Sequence, residues 1–232
     1  MTAEDIHYQF SFENGGRWSH RIPILQSDDA EDRSADTEPG DWTRLGNHQC
    51  EHCPLSVSHH ARCPFAVALQ PVLDGLGSHE SHETVAVRVE TPQREVSGTT
   101  SLQRGMGSML GVVGAFSGCP HLRILRPMAR LHLPFSNAQE TMVRVFGIYL
   151  AGQHLRQFHG LEADWEMHKL RESYRAIRKV NQGMSRRLRE VASDDTANNS
   201  VVLLDLLASD VELALDEYEG ELDVVLQEFL ER

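Results

Sequence analysis

The hydrophobic pattern of this chain changes its period near residue 100, and that change constrains the fold more than any other feature. Residues 6–12 and 83–91 alternate apolar and polar side chains, which is the period of a half-buried strand. A Gly-rich turn at 13–17 follows the first segment and precedes a predicted returning strand at 18–25. Pro92 likewise separates the second segment from a predicted returning strand at 94–100. From residue 101 onward the spacing is helical. Strands followed by helices predict an α+β fold.

We therefore predict N-terminal antiparallel hairpins that form one sheet, with a cysteine-rich loop, followed by a mostly α-helical C-terminal half. The 232 residues, 40% of them hydrophobic, supply a core for one large domain over residues 1–232. The hairpins, a Cys/His-rich loop and a short helix after Cys63 occupy 1–100, and the helical part occupies 101–232. Its predicted helices are 102–116, 122–132, 137–158, 164–191 and 198–219, with a continuation after Gly220.

Composition and charge narrow the class of protein. The longest apolar run, 109–116, is far shorter than the ~20 residues of a membrane span. The first ten residues lack the basic region of a signal peptide, so we predict a soluble cytoplasmic protein with no membrane partner. A formal net charge of −12 disfavours nucleic acid as a partner. Residues 26–41 are strongly acidic and predict a flexible surface loop.

The four cysteines, Cys50, Cys53, Cys63 and Cys119, indicate a metal site. In a reducing compartment, thiols serve as metal ligands or stay free more often than they form disulfides. A Cys-x2-Cys pair places two sulfurs on one tight turn, at the spacing that a tetrahedral metal requires. Cys63 begins one predicted helix and Cys119 follows the end of another. One metal would therefore tie a loop to two helix ends, whereas incidental thiols remain the alternative.

The choice of metal rests on the neighbouring residues. Four sulfur ligands suit zinc and an iron–sulfur cluster equally, and Cys-Pro, which occurs three times, is common at cluster ligands and at helix starts. Nearby histidines favour zinc as the first choice. These reserve ligands are His48, His52, His59, His60 and His121. A thioredoxin-like role for the Cys-x2-Cys pair is disfavoured, because the pair precedes Pro54 in irregular chain.

Two further patterns lie in the helical half. Arg126, Arg130 and His132 are candidates to bind an anionic ligand near Cys119, or else they cap helix ends and pair with carboxylates. The Gly-rich stretch 105–114 lacks the Gly-Lys-Ser of a phosphate loop, so its glycines predict close helix packing. The predicted helices 164–191 and 198–219 carry opposite charges, which predicts that they pack antiparallel.

Four segments resemble an uncharacterised bacterial family of unknown function. They are HQCEHCPL at 48–55, RCPFAVAL at 62–69, SGCPHL at 117–122 and RPMARLHLPF at 126–135. The resemblance spans most of the chain, and the cysteine segments are its most specific part. It implies a single bacterial domain and implies no activity, substrate or cofactor.

These observations lead to one functional hypothesis and two alternatives. The first is a metal-binding bacterial cytoplasmic protein with a structural or regulatory role, acting through a protein partner or as a sensor rather than as an enzyme. The second is a metalloenzyme or redox protein that uses the same cysteines and keeps an open coordination position. The third is an adaptor whose acidic C-terminal helix binds a basic partner.

Overall fold

The computed structural model describes residues 5–24, 38–76, 79–191 and 196–231. Within these ranges the chain has the predicted α+β architecture, with a sheet first and helices afterwards. Most of the predicted acidic loop, 26–41, lies outside the described residues. None of the helices in the described ranges is both long enough and apolar enough to cross a bilayer.

The four strands form one antiparallel sheet in the order β2-β1-β3-β4. They are β1 (Asp5–Phe12), β2 (Arg17–Pro23), β3 (Thr84–Glu90) and β4 (Glu95–Ser101). Every second residue of β1 is buried, from Ile6 to Phe12, because successive side chains of a strand point to opposite faces. The turn between β1 and β2 contains Gly15 at a φ of 86°, a conformation that glycine adopts without strain. The two predicted hairpins are confirmed.

Six α-helices complete the described fold: α1 (Pro64–Leu76), α2 (Leu102–Phe116), α3 (Arg126–Arg130), α4 (Ala138–Phe158), α5 (His168–Val191) and α6 (Thr196–Asp216). The predicted helix 122–132 is wrong in extent: a 3-10 turn at Leu122–Leu125 precedes the short α3. Pro127 causes this break, because it lacks an N–H and suits only the first turn of a new helix. The continuation after Gly220 is also wrong, since Gly220 has a φ of 93° and only a 3-10 turn, Gln227–Phe229, follows.

Helix α2 lies between the sheet and α6. A Cβ atom added to Gly105 would lie 2.9 Å from a ring carbon of Phe10 and 3.0 Å from a methyl group of Val87, so the backbone of α2 touches the sheet there. On its other side, a Cβ on Gly111 would lie 3.7 Å from Leu204 of α6, an ordinary contact. The predicted helix packing of these glycines is therefore confirmed against α6, whereas the contact of Gly105 with the sheet is not predicted by the sequence.

Helices α5 and α6 pair their opposite charges in antiparallel orientation, as predicted. Arg175 Nη2 lies 2.9 Å from Asp216, and Arg178 Nη1 lies 2.9 Å from Glu212. Arg171 Nε also lies 2.7 Å from Asp216. These carboxylates therefore already have partners within the chain.

The two faces of α2 predict opposite effects of the same substitution. We expect Gly105→Ala to lower the free energy of unfolding by about 1–3 kcal/mol, because Phe10 and Val87 must move. Gly111→Ala has room for the methyl group, so its higher helix propensity raises stability by up to about 1 kcal/mol. Urea unfolding of both variants beside the wild type measures the difference. Equal shifts would show that Gly105 is not in close contact with the sheet.

Candidate metal centre

The loop that carries three of the cysteines is closed at its base by backbone hydrogen bonds. The N–H of Leu45 donates to the carbonyl of Ala61 at 3.0 Å, and the N–H of Cys63 donates to Thr43 at 2.8 Å. Arg44 and Arg62 form an isolated antiparallel bridge between the same two segments. Cys63 is thereby fixed at the start of α1, with the rest of the loop projecting from this base.

A buried arginine holds this loop against α5. Arg187 is only 2% exposed, and its guanidinium donates hydrogen bonds to three loop carbonyls. These are the carbonyls of Trp42 at 2.9 Å, Arg44 at 2.6 Å and Leu45 at 2.9 Å. Over the ranges that the structure describes, no carboxylate forms an ion pair with Arg187. The loop is therefore clamped by a buried cation that bonds to carbonyl groups, while the nearby Glu190 carboxylate is close enough for Arg187 to lower its pKa.

Cys50 lies directly on the backbone of α5. A Cβ atom on Gly183 would lie 2.9 Å from the Sγ of Cys50 and 3.6 Å from the carbonyl of His48, so only glycine leaves room for the loop. His48 itself donates from Nε2 to Glu190 at 2.6 Å, and this bond lowers the pKa of Glu190. One nitrogen of His48, a reserve ligand, is thus engaged by α5.

The four cysteines are partly buried free thiols that influence one another across three chain segments. The N–H of Cys53 donates to the carbonyl of Cys50 at 2.9 Å, the tight turn predicted for the Cys-x2-Cys pair. Burial raises the pKa of Cys50 to about 11, and the charges of Cys63 and Cys53 raise this pKa further, whereas Arg187 opposes the rise. Burial, with smaller contributions from Cys63 and Cys50, raises the pKa of Cys119 to about 12. Cys50 therefore lies within electrostatic reach of the other three thiols.

Cys119 also receives hydrogen bonds from the backbone that follows it. The amides of Leu122 and His121 donate to its sulfur and lower its pKa, although burial outweighs them. Both amides favour the thiolate over the thiol, because an N–H group stabilises a negative acceptor. Without a further positive charge, burial keeps the Cys50 and Cys119 thiols protonated near neutral pH, so neither is poised as a nucleophile.

Two of the histidines join the loop to the Cys119 segment. The rings of His52 and His121 stack with centroids 4.1 Å apart, and His121 Nε2 donates to the carbonyl of His52 at 3.0 Å. His52 Nε2 donates in turn to the carbonyl of Ala176 at 3.0 Å. Burial and then the charge of His121 lower the pKa of His52, so the ring is neutral and its Nδ1 is an unprotonated acceptor. This atom is buried without a partner in the described ranges. A bare nitrogen opposite a donating one is the arrangement of a metal-binding histidine.

The remaining reserve ligands differ in burial. His60 Nδ1 is buried and has no hydrogen-bond partner among the described residues, whereas His59 is exposed. In the part of the chain that the structure describes, no three or more His, Cys, Asp or Glu side chains are already placed as a metal-binding set. The thiols are thus neighbours without the geometry of a formed metal site, and the predicted centre stays a prediction.

The three residues of the predicted anion site each make a separate contact within the chain. Arg126 Nε donates to the carbonyl of Ala115 at the end of α2, and the guanidinium of Arg130 lies 5.9 Å from the ring centre of Phe116. His132 is 9% exposed, and burial, with a smaller contribution from Arg144, lowers its pKa to about 3. His132 is therefore neutral at physiological pH and offers hydrogen bonds rather than charge. An anion-binding role for the three residues stays a prediction.

Sequence reasoning missed Arg187 and Gly183, which position the loop. A signal existed for Arg187: the buried positions of α5 include Val180, Met184 and Leu188, and Arg187 lies on the same helical face. An arginine on an apolar face indicates a buried contact that needs carbonyl or carboxylate partners.

Among known protein families, one has a profile that covers nearly the whole chain. The profile of a family described as Domain of unknown function (DUF6901) matches residues 6–227. The chain belongs to this family. The match includes the sheet, the helices and all four cysteines, and it confirms the resemblance to an uncharacterised family. No curated protein and no solved structure matches the chain.

The clamp can be tested by removing the guanidinium. We expect Arg187→Met to lower the free energy of unfolding by about 2–4 kcal/mol, because three carbonyls lose a charged donor in a buried place. Limited proteolysis should then cut first between residues 42 and 62. Arg189→Met, an exposed neighbour on the same helix, is the matched control and should change stability by less than about 0.5 kcal/mol. Equal stability of the two variants would refute the clamp.

Proposed function

We propose that Cys50, Cys53, Cys63 and Cys119 bind a metal ion with high affinity for sulfur, and that this site has a structural or regulatory role in a cytoplasmic bacterial protein. Zinc is the first choice and an iron–sulfur cluster the second. The observation that carries the proposal is the mutual influence of four thiols that come from three separate segments of the chain. Cys50 lies within electrostatic reach of Cys53, Cys63 and Cys119, which is the neighbourhood that a shared metal ion would need.

The charge of the surroundings supports a thiolate centre. A zinc ion held by four thiolates carries a net negative charge, which is costly to bury without a counter-charge. Arg187 supplies a buried positive charge near Cys50 and forms no ion pair with a carboxylate in the described ranges. The amides that donate to Cys119 also stabilise a thiolate, because they lower the pKa of that cysteine. The donor set and its environment therefore fit the proposed group.

The histidines offer a variant of the same site. The unpartnered Nδ1 of His52 is fixed beside the Cys119 segment by the stacked ring of His121. A His nitrogen and three thiolates form an equally common structural zinc site. His52 is accordingly the first substitute ligand if one cysteine stays outside the coordination sphere.

A structural or regulatory role has more support than the two alternatives. A bound metal would connect the loop, the start of α1 and the end of α2, and its binding free energy would add to the free energy of folding. The metalloenzyme or redox alternative uses the same thiols and requires an open coordination position. The adaptor alternative has less support, because Asp205, Glu212 and Asp216 of α6 already face arginines of α5.

Metal analysis of protein purified without air tests the proposal. We expect about one zinc ion per chain and a colourless solution, whereas a brown protein with iron and sulfide indicates the cluster instead. Cys53→Ser should lose the metal and melt well below the wild type, because structural zinc supplies ~10–16 kcal/mol in small peptides. The separate core of sheet and helices should keep this variant folded.

The matched control is Glu51→Gln, which changes the exposed residue inside the Cys-x2-Cys turn and should keep both the metal and the melting temperature. If Cys53→Ser retains its metal content and its melting temperature, the thiols do not bind a structural metal. If the wild type contains no metal and mild oxidation joins Cys50 to Cys53 reversibly, the redox alternative replaces the proposal.

A further inference from the structure

A cavity of about 720 Å³ lies in the helical half and is formed by residues other than the four cysteines. Its walls come from β4, from all six helices and from the turns on either side of α3. Most of the lining is apolar, including Leu125, Met128, Leu203, Leu204 and Leu207. Arg104 and Leu206 belong to the same lining and are exposed, so the cavity opens to solvent. Its size is within the ~300–1,000 Å³ of pockets that hold small ligands.

One polar group in this cavity lacks a partner. Tyr174 of α5 lines the cavity and is only 5% exposed, and its hydroxyl makes no hydrogen bond to any residue in the described ranges. Burial raises the pKa of Tyr174, so the hydroxyl stays protonated and can donate. The hydroxyl is therefore a donor without a protein acceptor at the wall of the cavity, and an acceptor group on a ligand would bond to it.

A positive charge acts on this hydroxyl, because Arg144 lowers the pKa of Tyr174 against the larger effect of burial. Arg144 of α4 lines the cavity, and its Nη2 donates to the carbonyls of Met128 at 3.1 Å and Leu131 at 2.8 Å. In the part of the chain that the structure describes, no carboxylate lies within ion-pair distance of Arg144. The charges that act on it are those of Arg94, Glu140 and Tyr174, and burial together with Arg94 lowers its pKa. Its remaining N–H groups therefore favour an anionic acceptor.

The charged residues of the lining also favour an anion. Arg104 and Arg144 carry positive charge, and Asp210 is the acidic residue of the lining. His132, also in the lining, is neutral at physiological pH because its pKa is lowered to about 3. The cavity thus combines a large apolar volume with a cation and a neutral donor.

We propose that this cavity binds an amphipathic monocarboxylate, such as a medium- or long-chain fatty acid. The carboxylate is held by Arg144 and Tyr174, and the hydrocarbon chain lies among the leucines of α6 and the apolar residues of the α3 region. A cationic amphiphile of equal length satisfies the apolar walls but offers no acceptor to Tyr174, and its charge is repelled by Arg144. The site uses none of the residues proposed as metal ligands.

Calorimetric titration with dodecanoate, below its micelle-forming concentration, tests the proposal. We expect saturable binding of one molecule per chain, at least about tenfold tighter than binding of dodecyltrimethylammonium, because a charged hydrogen bond contributes a factor of this order. Tyr174→Phe keeps the ring and should weaken dodecanoate binding several-fold. Arg144→Gln should remove the preference for the anion. Leu207→Trp fills the apolar part and should abolish binding of both amphiphiles.

Two matched controls separate the cavity from the protein surface. Tyr149→Phe on α4 and Arg186→Gln on α5 alter residues outside the cavity lining and should bind dodecanoate as the wild type does. Melting curves establish whether each variant is folded. If Arg144→Gln does not fold, Tyr174→Phe and Leu207→Trp provide the test. The proposal is overturned if dodecanoate does not saturate, if the cationic amphiphile binds equally well, or if Leu207→Trp binds like the wild type.

Discussion

The hydrogen bonds of Arg187 to three loop carbonyls are the contacts on which the cysteine loop depends. They attach the irregular cysteine loop to α5, and α5 in turn is connected through α6 and α2 to the sheet. Helix α5 is joined to α6 by arginine–carboxylate pairs, α6 packs on the glycines of α2, and α2 contacts the sheet at Gly105. Cys119 follows α2 directly. The relative positions of the thiols are therefore set by the whole helical layer rather than by the loop alone.

A buried guanidinium is also an electrostatic constraint. Its desolvation costs free energy that three carbonyl dipoles offset only in part. The thiols near it are held protonated by burial, as the raised pKa of Cys50 shows. A metal ion that replaced those protons would leave a negatively charged thiolate site close to Arg187, and the cation and the thiolates would then stabilise each other. The proposed metal would therefore supply thiolates next to a buried guanidinium that the fold already places near Cys50.

The sequence predicts most helices and strands, because the period of apolar residues depends only on residues that are close together in the chain. The spacing predicts a helix over residues 102–116, and α2 has the same bounds. The errors near Pro127 and Gly220 arose where backbone conformation overrides periodicity. The contacts of Arg187 and the cavity join distant segments, so no local pattern indicates them. His48 was grouped with the cysteines by proximity in sequence, although one of its ring nitrogens bonds to α5.

X-ray absorption spectroscopy at the edge of the bound metal tests the central claim most directly, because it reads the ligand atoms themselves. The protein should be purified without air and its metal content measured first. For zinc, we expect a first shell of four sulfur atoms at about 2.3 Å, or three sulfur atoms and one nitrogen atom if His52 replaces a cysteine. A first shell of oxygen and nitrogen atoms alone, or the absence of any stoichiometric metal, would contradict the account.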